Sequence, residues 1–223
     1  VALEKITKEP RRRYDDACAT AHALELIGER WALLVLRELM LGPRRFSDLR
    51  TDLPGVSANT LTQRLGELEQ RGLVRRRRLP PPASVQVYEA TPWGLEAEPI
   101  VQALGRWAAR SPGHDPTLPI SGVSVLLSFR TMISAKRAKG VDARIGFRFG
   151  ADDYVARIKK GRIRVARGPL DQCEVVFSGP PAALAAVVYG GQPLDLLGVS
   201  GDRALAEKFT TLFVLPPKVG ADG

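Results

Sequence analysis

The stretch LPGVSANTLTQRLGELEQRGLVRRRR, residues 53–78, constrains the fold more than any other part of the chain. Pro54-Gly55 is a turn pair and Ser57 a good helix N-cap. At helical spacing Leu61, Leu65 and Leu68 share one face, with Ala58 at its edge. Asn59, Gln63, Gly66 and Gln70 lie opposite, flanked by Thr62 and Glu67. Gly72 ends the helix. A short helix at 46–51, with Phe46 and Leu49 inward, precedes the turn, so the two have helix-turn-helix spacing. Residues 73–80 and 84–91 then read as two strands joined by a proline-rich turn. The first strand of this hairpin carries Arg75, Arg76, Arg77 and Arg78.

The flanking sequence completes the pattern. Residues 15–28 place Ala19, His22, Ala23, Leu26 and Ile27 at helical spacing, and a second apolar helix over 30–41 stops at Gly42-Pro43. Pro92, a natural first helical residue, opens a helix to residue 110 that carries Leu95, Ile100, Leu104 and Trp107. Helix, helix, helix-turn-helix, hairpin, helix is the order of a winged helix. SPGHDPTLPISG, residues 111–122, has linker composition and divides a domain at 1–112 from a smaller α+β domain at 120–219. The second domain is expected to open with a helix at 123–138. Strands follow at 143–149, 152–159, 162–167 and 174–178, then a helix after Gly179-Pro180-Pro181 and a last helix at 202–212.

Charge says where a partner would bind. The chain has 223 residues with 33 Lys and Arg against 24 Asp and Glu, a net charge of +9 and a pI near 10.0. Residues 44–78 hold nine arginines and four carboxylates, so positive charge is concentrated on the second helix and the hairpin. A basic cluster points to a polyanion, nucleic acid before membrane. Ser57, Asn59, Thr62 and Gln63 are short or amide side chains of the kind that reach base edges in a major groove. Arg45, Arg75, Arg76, Arg77 and Arg78 would hold phosphates. Arg64 lies nearer the helix flank, where a phosphate or an internal acid would serve equally. Each feature alone also reads as solvated surface; their order along the chain favours double-stranded DNA.

Little points to chemistry. Cys18 and Cys173, the only cysteines, are too far apart in sequence for a CxxC motif, which fits a reducing cytosol rather than a disulfide framework or zinc site. His22 and His114 are the only histidines, with no nucleophile set around them; His22 reads as a satisfied core or interface residue. GPPAALAAVVYGG lacks the Lys and Ser/Thr of a P-loop. No cofactor, metal or catalytic residue is expected, and the chain reads as no enzyme. Lys5, Lys8 and the arginines at 11–13 break any leader-like apolar run, and no apolar stretch is long enough to span a bilayer. The expected location is the cytoplasm.

Residues 17–91 resemble the HxlR-type winged-helix regulators, relatives of the MarR group. The motifs are Cys18, Gly28-x-x-Trp31, Leu36-Arg37-Glu38-Leu39, Gly42-Pro43-x-Arg45-Phe46-x-x-Leu49, Leu53-Pro54-Gly55-Val56-Ser57 and Leu61-Thr62-x-Arg64-Leu65-x-x-Leu68-x-x-x-Gly72-Leu73-Val74. The resemblance implies a bacterial DNA-binding transcription regulator, a homodimer joined through residues 15–28 and 92–110, and a pseudo-palindromic operator. It also implies that Cys18 could sense oxidants, against a plain reading as a small core residue. The second half more loosely resembles sterol carrier protein-like domains, in CEVVFSGPPAALAAVVYGG and LGVSGDRALAEKFTTLF. That resemblance implies an apolar small-molecule effector between sheet and helices. Phe129, Ile133, Phe147, Phe149 and Phe177 would line its pocket with Leu184, Val188, Phe209 and Phe213, although most of these must be core. The alternatives are a packing or assembly domain, or a lipid or hydrophobic-ligand carrier whose basic half is an interaction module.

Overall fold

The structure, a computed structural model, describes residues 14–220. The arginines at 11–13 lie outside the described residues. The first half holds α1 (Ala19–Ile27), α2 (Ala32–Glu38), α3 (Phe46–Asp52), α4 (Ala58–Gln70), the antiparallel strands β1 (Val74–Arg78) and β2 (Gln86–Ala90), α5 (Pro92–Leu95) and α6 (Glu98–Ala108). Arg44 exchanges two backbone hydrogen bonds with Tyr88 at 2.8 and 2.9 Å, so a third short segment flanks the hairpin. This is a winged helix. The helix expected to run from 92 to 110 is broken before α6. Pro99 cannot donate to residue 95 and its ring clashes with that carbonyl, so two helices replace one.

The second half holds α7 (Gly122–Met132), β3 (Ala143–Phe149), β4 (Asp152–Lys159), β5 (Arg162–Arg167), β6 (Val175–Ser178), α8 (Pro181–Gly190), β7 (Gly198–Gly201) and α9 (Arg203–Thr210). Its five strands lie in the order β5-β4-β3-β6-β7, with β3 and β6 parallel and the other pairs antiparallel. Strand β7 has no counterpart in the sequence reading, because its four residues are GVSG, with glycine at both ends. Helix α7 stops at Met132 rather than 138. Ile133 turns extended to bridge Phe213, and Ser134 donates to the Leu212 carbonyl at 2.8 Å.

Seven of the nine residues expected to line a ligand pocket are packed into the core. Phe129, Phe147, Phe177, Leu184, Val188, Phe209 and Phe213 are buried, and Ile133 and Phe149 half-buried. Phe129 stacks on Phe213 at 4.5 Å and meets Phe209 edge-on at 5.4 Å; Phe147 stacks on Phe177 at 5.8 Å. Rings at these separations fill the space between sheet and helices with their own favourable contacts.

The linker reading also needs correction: buried residues of the two halves form one continuous core. Polar contacts cross the seam. Glu38 is fully buried at the end of α2 and accepts at 2.9 Å from Ser121, the residue that caps α7. Arg37 donates to the same carboxylate oxygen at 2.8 Å. Arg44 is 6% exposed and is held between Asp52 of α3 and Asp152 of β4, the latter at 2.5 Å. Glu98 of α6 takes two bonds from Arg130 of α7, both 2.6 Å. Prolines and glycines at 111–122 therefore shape a turn between packed elements, not a free tether.

Burial holds the Glu38 carboxyl above its ordinary pKa, and the charge of Arg37 and the Ser121 bond offset only part of this. A carboxyl that binds its proton more tightly when folded favours the fold at low pH. That contribution is lost as pH rises through the folded pKa. Glu38→Gln keeps an oxygen for Ser121 to donate to and removes the titration. Its urea midpoint is expected to gain on the wild type as pH rises from about 4 to about 7. A difference independent of pH, or one moving toward the wild type, contradicts this account of Glu38.

Candidate nucleic-acid interface

The candidate interface is built from the segment that follows α3. Asp48 accepts from the Arg45 backbone N–H at 3.2 Å and so caps the start of α3. The chain then turns through Gly55 at φ 91°, a left-handed conformation that favours glycine, with the Trp31 ring against it. Ser57 caps α4, its hydroxyl accepting from the Thr60 N–H at 3.1 Å. Leu61, Leu65 and Leu68 are buried, which rotates Ser57, Asn59, Thr62 and Gln63 outward, and all four are exposed. The Gln63 side-chain amide donates to Glu67 one turn on, at 3.1 Å.

Arg64 is turned inward. Its guanidinium is 11% exposed, pairs with Glu67 and lies 3.7 Å from Glu29. Of the two partners the sequence left open, the structure supplies the internal acid.

The wing arginines are exposed but not bare. Arg75 and Arg77 point to one side of the hairpin and share Glu89, Arg77 at 2.9 Å. Arg76 points to the other side, pairs with Glu69 at the end of α4 at 2.9 Å and lies over the Tyr88 ring at 5.9 Å. Arg78 donates to the Ser84 carbonyl at 3.2 Å. Their side chains are 61, 52 and 47% exposed for Arg75, Arg76 and Arg77. Exposed pairs of this kind hold by about 0–1 kcal/mol, so a phosphate can displace each carboxylate at little cost. The pairs orient the guanidinium groups before a partner arrives. Sequence reading missed Glu69 and Glu89 in this role because strand register decides it.

A cleft of about 450 Å3 opens at the seam between the halves, where Arg44, Asp52, Pro54, Ser121, Phe149 and Asp152 contribute to its wall. Of the nine expected pocket residues, only Phe149 reaches it. Around it burial alone would raise the Asp152 carboxyl, but hydrogen bonds from Arg167 and Arg44 hold it below its ordinary pKa. Burial pushes the Tyr154 hydroxyl up to about 12.

Cys18 is exposed at the N-cap of α1. The donors of Thr20, backbone first and then hydroxyl, and the Ala21 backbone lie near the thiol and hold its pKa below the ordinary value. Cys173 is half-buried in the second half, and burial raises its pKa. His22 is exposed and bonds Glu25 at 3.0 Å, so it is no core residue of the protomer. Among the described residues no group of His, Cys, Asp and Glu is arranged to hold a metal, and no helix is long and apolar enough to cross a membrane.

A winged helix with a polar, capped second helix and an arginine-bearing hairpin defines a DNA-binding protein. Residues 26–115 match the family described as HxlR-like helix-turn-helix. An HTH-type transcriptional regulator of Synechocystis, sll1512, is 35% identical over 103 residues, 46% of this chain and 76% of the relative. YodB, an HTH-type transcriptional regulator of Bacillus subtilis, is 36% identical over 86 residues, 39% of this chain and 77% of its own length. The solved structure of reduced YodB is 32% identical, covers 45% of this chain and all of that one, and superposes with a TM-score of 0.40. The chain belongs to the HxlR-like helix-turn-helix family, whose members are transcriptional regulators and not enzymes. The family match ends at residue 115.

Replacing Ser57 by Ala should cost about 1 kcal/mol of stability, because the Thr60 N–H is left without its acceptor, and Ser57→Asp should restore it. Thermal unfolding of the two variants reads this directly; an Ala variant as stable as the wild type would remove Ser57 from the capping role.

Proposed function

We propose that this chain is a homodimeric transcriptional regulator that reads a pseudo-palindromic duplex operator with α4 and grips the backbone with the β1–β2 wing. The observation that carries the reading is the exposed polar face at the start of α4, set beside four exposed arginines by a single hairpin. In this reading Asn59 and Gln63 pair with base edges, with Ser57 and Thr62 beside them. Arg45, Arg75, Arg76, Arg77 and Arg78 bind phosphate. Arg64 positions Glu67 rather than touching DNA. Such a regulator works in the cytoplasm, where its operator is.

The dimer reading is supported by unpartnered apolar surface. Ile100, Leu104 and Trp107 stand at i, i+4 and i+7 on α6, all exposed, Trp107 by 73%. Leu24 of α1 and Tyr14 before it are exposed as well. The opposite side of α6 packs on α7 through Glu98 and Arg130, so the second half leaves the stripe free for a second copy. For that half, of sterol carrier-like type in this reading, the filled aromatic core favours an assembly role over ligand carriage.

A second reading has its own observation: an exposed thiol at a helix N-terminus with a lowered pKa is the setting of a reactive cysteine. In it, oxidation of Cys18 alters DNA binding.

Arg76→Ala with Arg77→Ala should weaken operator and random duplexes alike and flatten the salt dependence by about 0.9 log units for each phosphate no longer neutralised. Asn59→Ala or Gln63→Ala should cost about 1–3 kcal/mol on the preferred site and little on random DNA. A salt-independent affinity sinks the wing assignment, and equal weakening on every sequence misplaces the recognition face. For the thiol, DNA binding should respond to diamide in the wild type and not in Cys18→Ser. An equal response in both assigns the effect elsewhere.

A further inference from the structure

The second half carries a second basic surface that neither the wing nor the recognition helix uses. Its sheet buries Ala143, Ile145, Phe147, Tyr154, Ala156, Ile158, Ile163 and Val165 toward the helices. Alternation sends the intervening side chains to the other face: Arg144 and Arg148 on β3, Arg157 and Lys159 on β4, Arg162 and Arg164 on β5. Register then sets like charges directly opposite one another. Arg144 faces Arg157, Arg157 faces Arg164, and Lys159 faces Arg162. Three arginines thus cross three strands in one row, about 4.8 Å from strand to strand, with a second basic pair beside them.

Such an arrangement weakens a sheet, since like charges directly opposite repel. The chain answers it only in part. Asp142 pairs with Arg157 and lies 3.3 Å from Lys159; Asp153 accepts from Arg148 at 2.9 Å; Glu174 accepts from the Arg144 backbone N–H at 2.8 Å. Arg162 and Arg164 are exposed and make no ion pair among the described residues. On the β3–β6 side the face is covered, with Leu170 and Cys173 over Gly146, so the basic grid is confined to the β3–β5 half.

We infer that this face is a second binding surface for the phosphate backbone of duplex DNA, separate from α4 and the wing. The inference rests on the DNA-binding reading above and extends it to the second half. Guanidinium forks match phosphate oxygens better than a point charge does, and Arg157, Arg162 and Arg164 are exposed, whereas Arg144 is half-buried and Arg148 already forks onto Asp153. The outward positions of β3, β4 and β5 hold no Asn, Gln, Ser or Thr, so this surface adds affinity without reading sequence. An anionic lipid surface is the poorer fit. No large exposed apolar side chain lies on β3, β4 or β5 to insert among acyl chains.

The test uses the full chain carrying Arg157→Gln, Arg162→Gln and Arg164→Gln together, with the Arg76→Ala/Arg77→Ala variant beside it. Affinity for a long mixed-sequence duplex is measured across a salt series, and binding to phosphatidylserine-containing vesicles in parallel. The triple variant should flatten the log K against log salt slope by about 2 to 3 units per chain, from about 0.9 for each phosphate neutralised. Its melting temperature should equal or exceed the wild type's, because repulsion across the strands is relieved. A slope unchanged by the triple variant but reduced by the wing variant overturns this inference and leaves the wing reading standing. A wild type that binds no duplex overturns both. Vesicle binding that the triple variant abolishes, with the DNA slope unchanged, gives the surface to lipid and overturns the inference.

Discussion

Everything in the molecule's arrangement depends on the polar seam where α2 and α3 meet α7 and β4. Glu38 has no exposure, yet only one of its carboxylate oxygens finds hydrogen-bond partners, in Ser121 and Arg37. An ionised carboxylate is costly to bury and tolerable only with such donors close by. Arg44 faces the same constraint with opposite sign. Burial alone would lower its pKa, but the bond to Asp152 and the charges of Asp52 and Asp152 raise it. Buried pairs of this kind add little net stability, but removing one partner strands the other charge. Their consequence is geometric: they permit one docking of the second half on the first.

That docking reaches α4 by a short covalent path. Asp52 ends α3, Pro54-Gly55 turns the chain, and Ser57 caps α4. The residue that grips Arg44 from the first half therefore lies five positions before the α4 cap. Arg44 also shares backbone hydrogen bonds with Tyr88 of the wing hairpin. One arginine thus ties β4 both to α3, which leads into α4, and to the β1–β2 hairpin.

How much of this the sequence disclosed follows from the range of the interactions. Local signals were legible: the Ser57 cap, the leucine spine of α4, the hairpin with its arginines, and the alternating strands β4 and β5 all follow from spacing along a few residues. The break at Pro99 was missed, because the continuous apolar pattern of Leu95, Ile100, Leu104 and Trp107 carried one helix through it. Partners far apart in sequence were not legible. Nothing around Glu38 announces Ser121, and nothing around Arg44 announces Asp152, because each pair joins residues far apart in the chain. The phenylalanines of the second half show the same limit, since composition cannot separate a pocket wall from a filled core. The basic row of Arg144, Arg157 and Arg164 needed strand register to be seen at all.

The central claim is that the seam makes the winged helix and the second half one cooperative unit. All three tryptophans, Trp31, Trp93 and Trp107, lie in the first half and report its unfolding. Hydrogen exchange of the β3, β4 and β5 amides reports the second. Followed together through a denaturant titration of the full chain, the tryptophan signal and the strand exchange should share one midpoint. That midpoint should remain shared in Ser57→Ala, which weakens α4 alone, and split in Glu38→Ala, which leaves Ser121 without its acceptor. Two separate midpoints in the wild type would contradict the claim and make the halves independent domains.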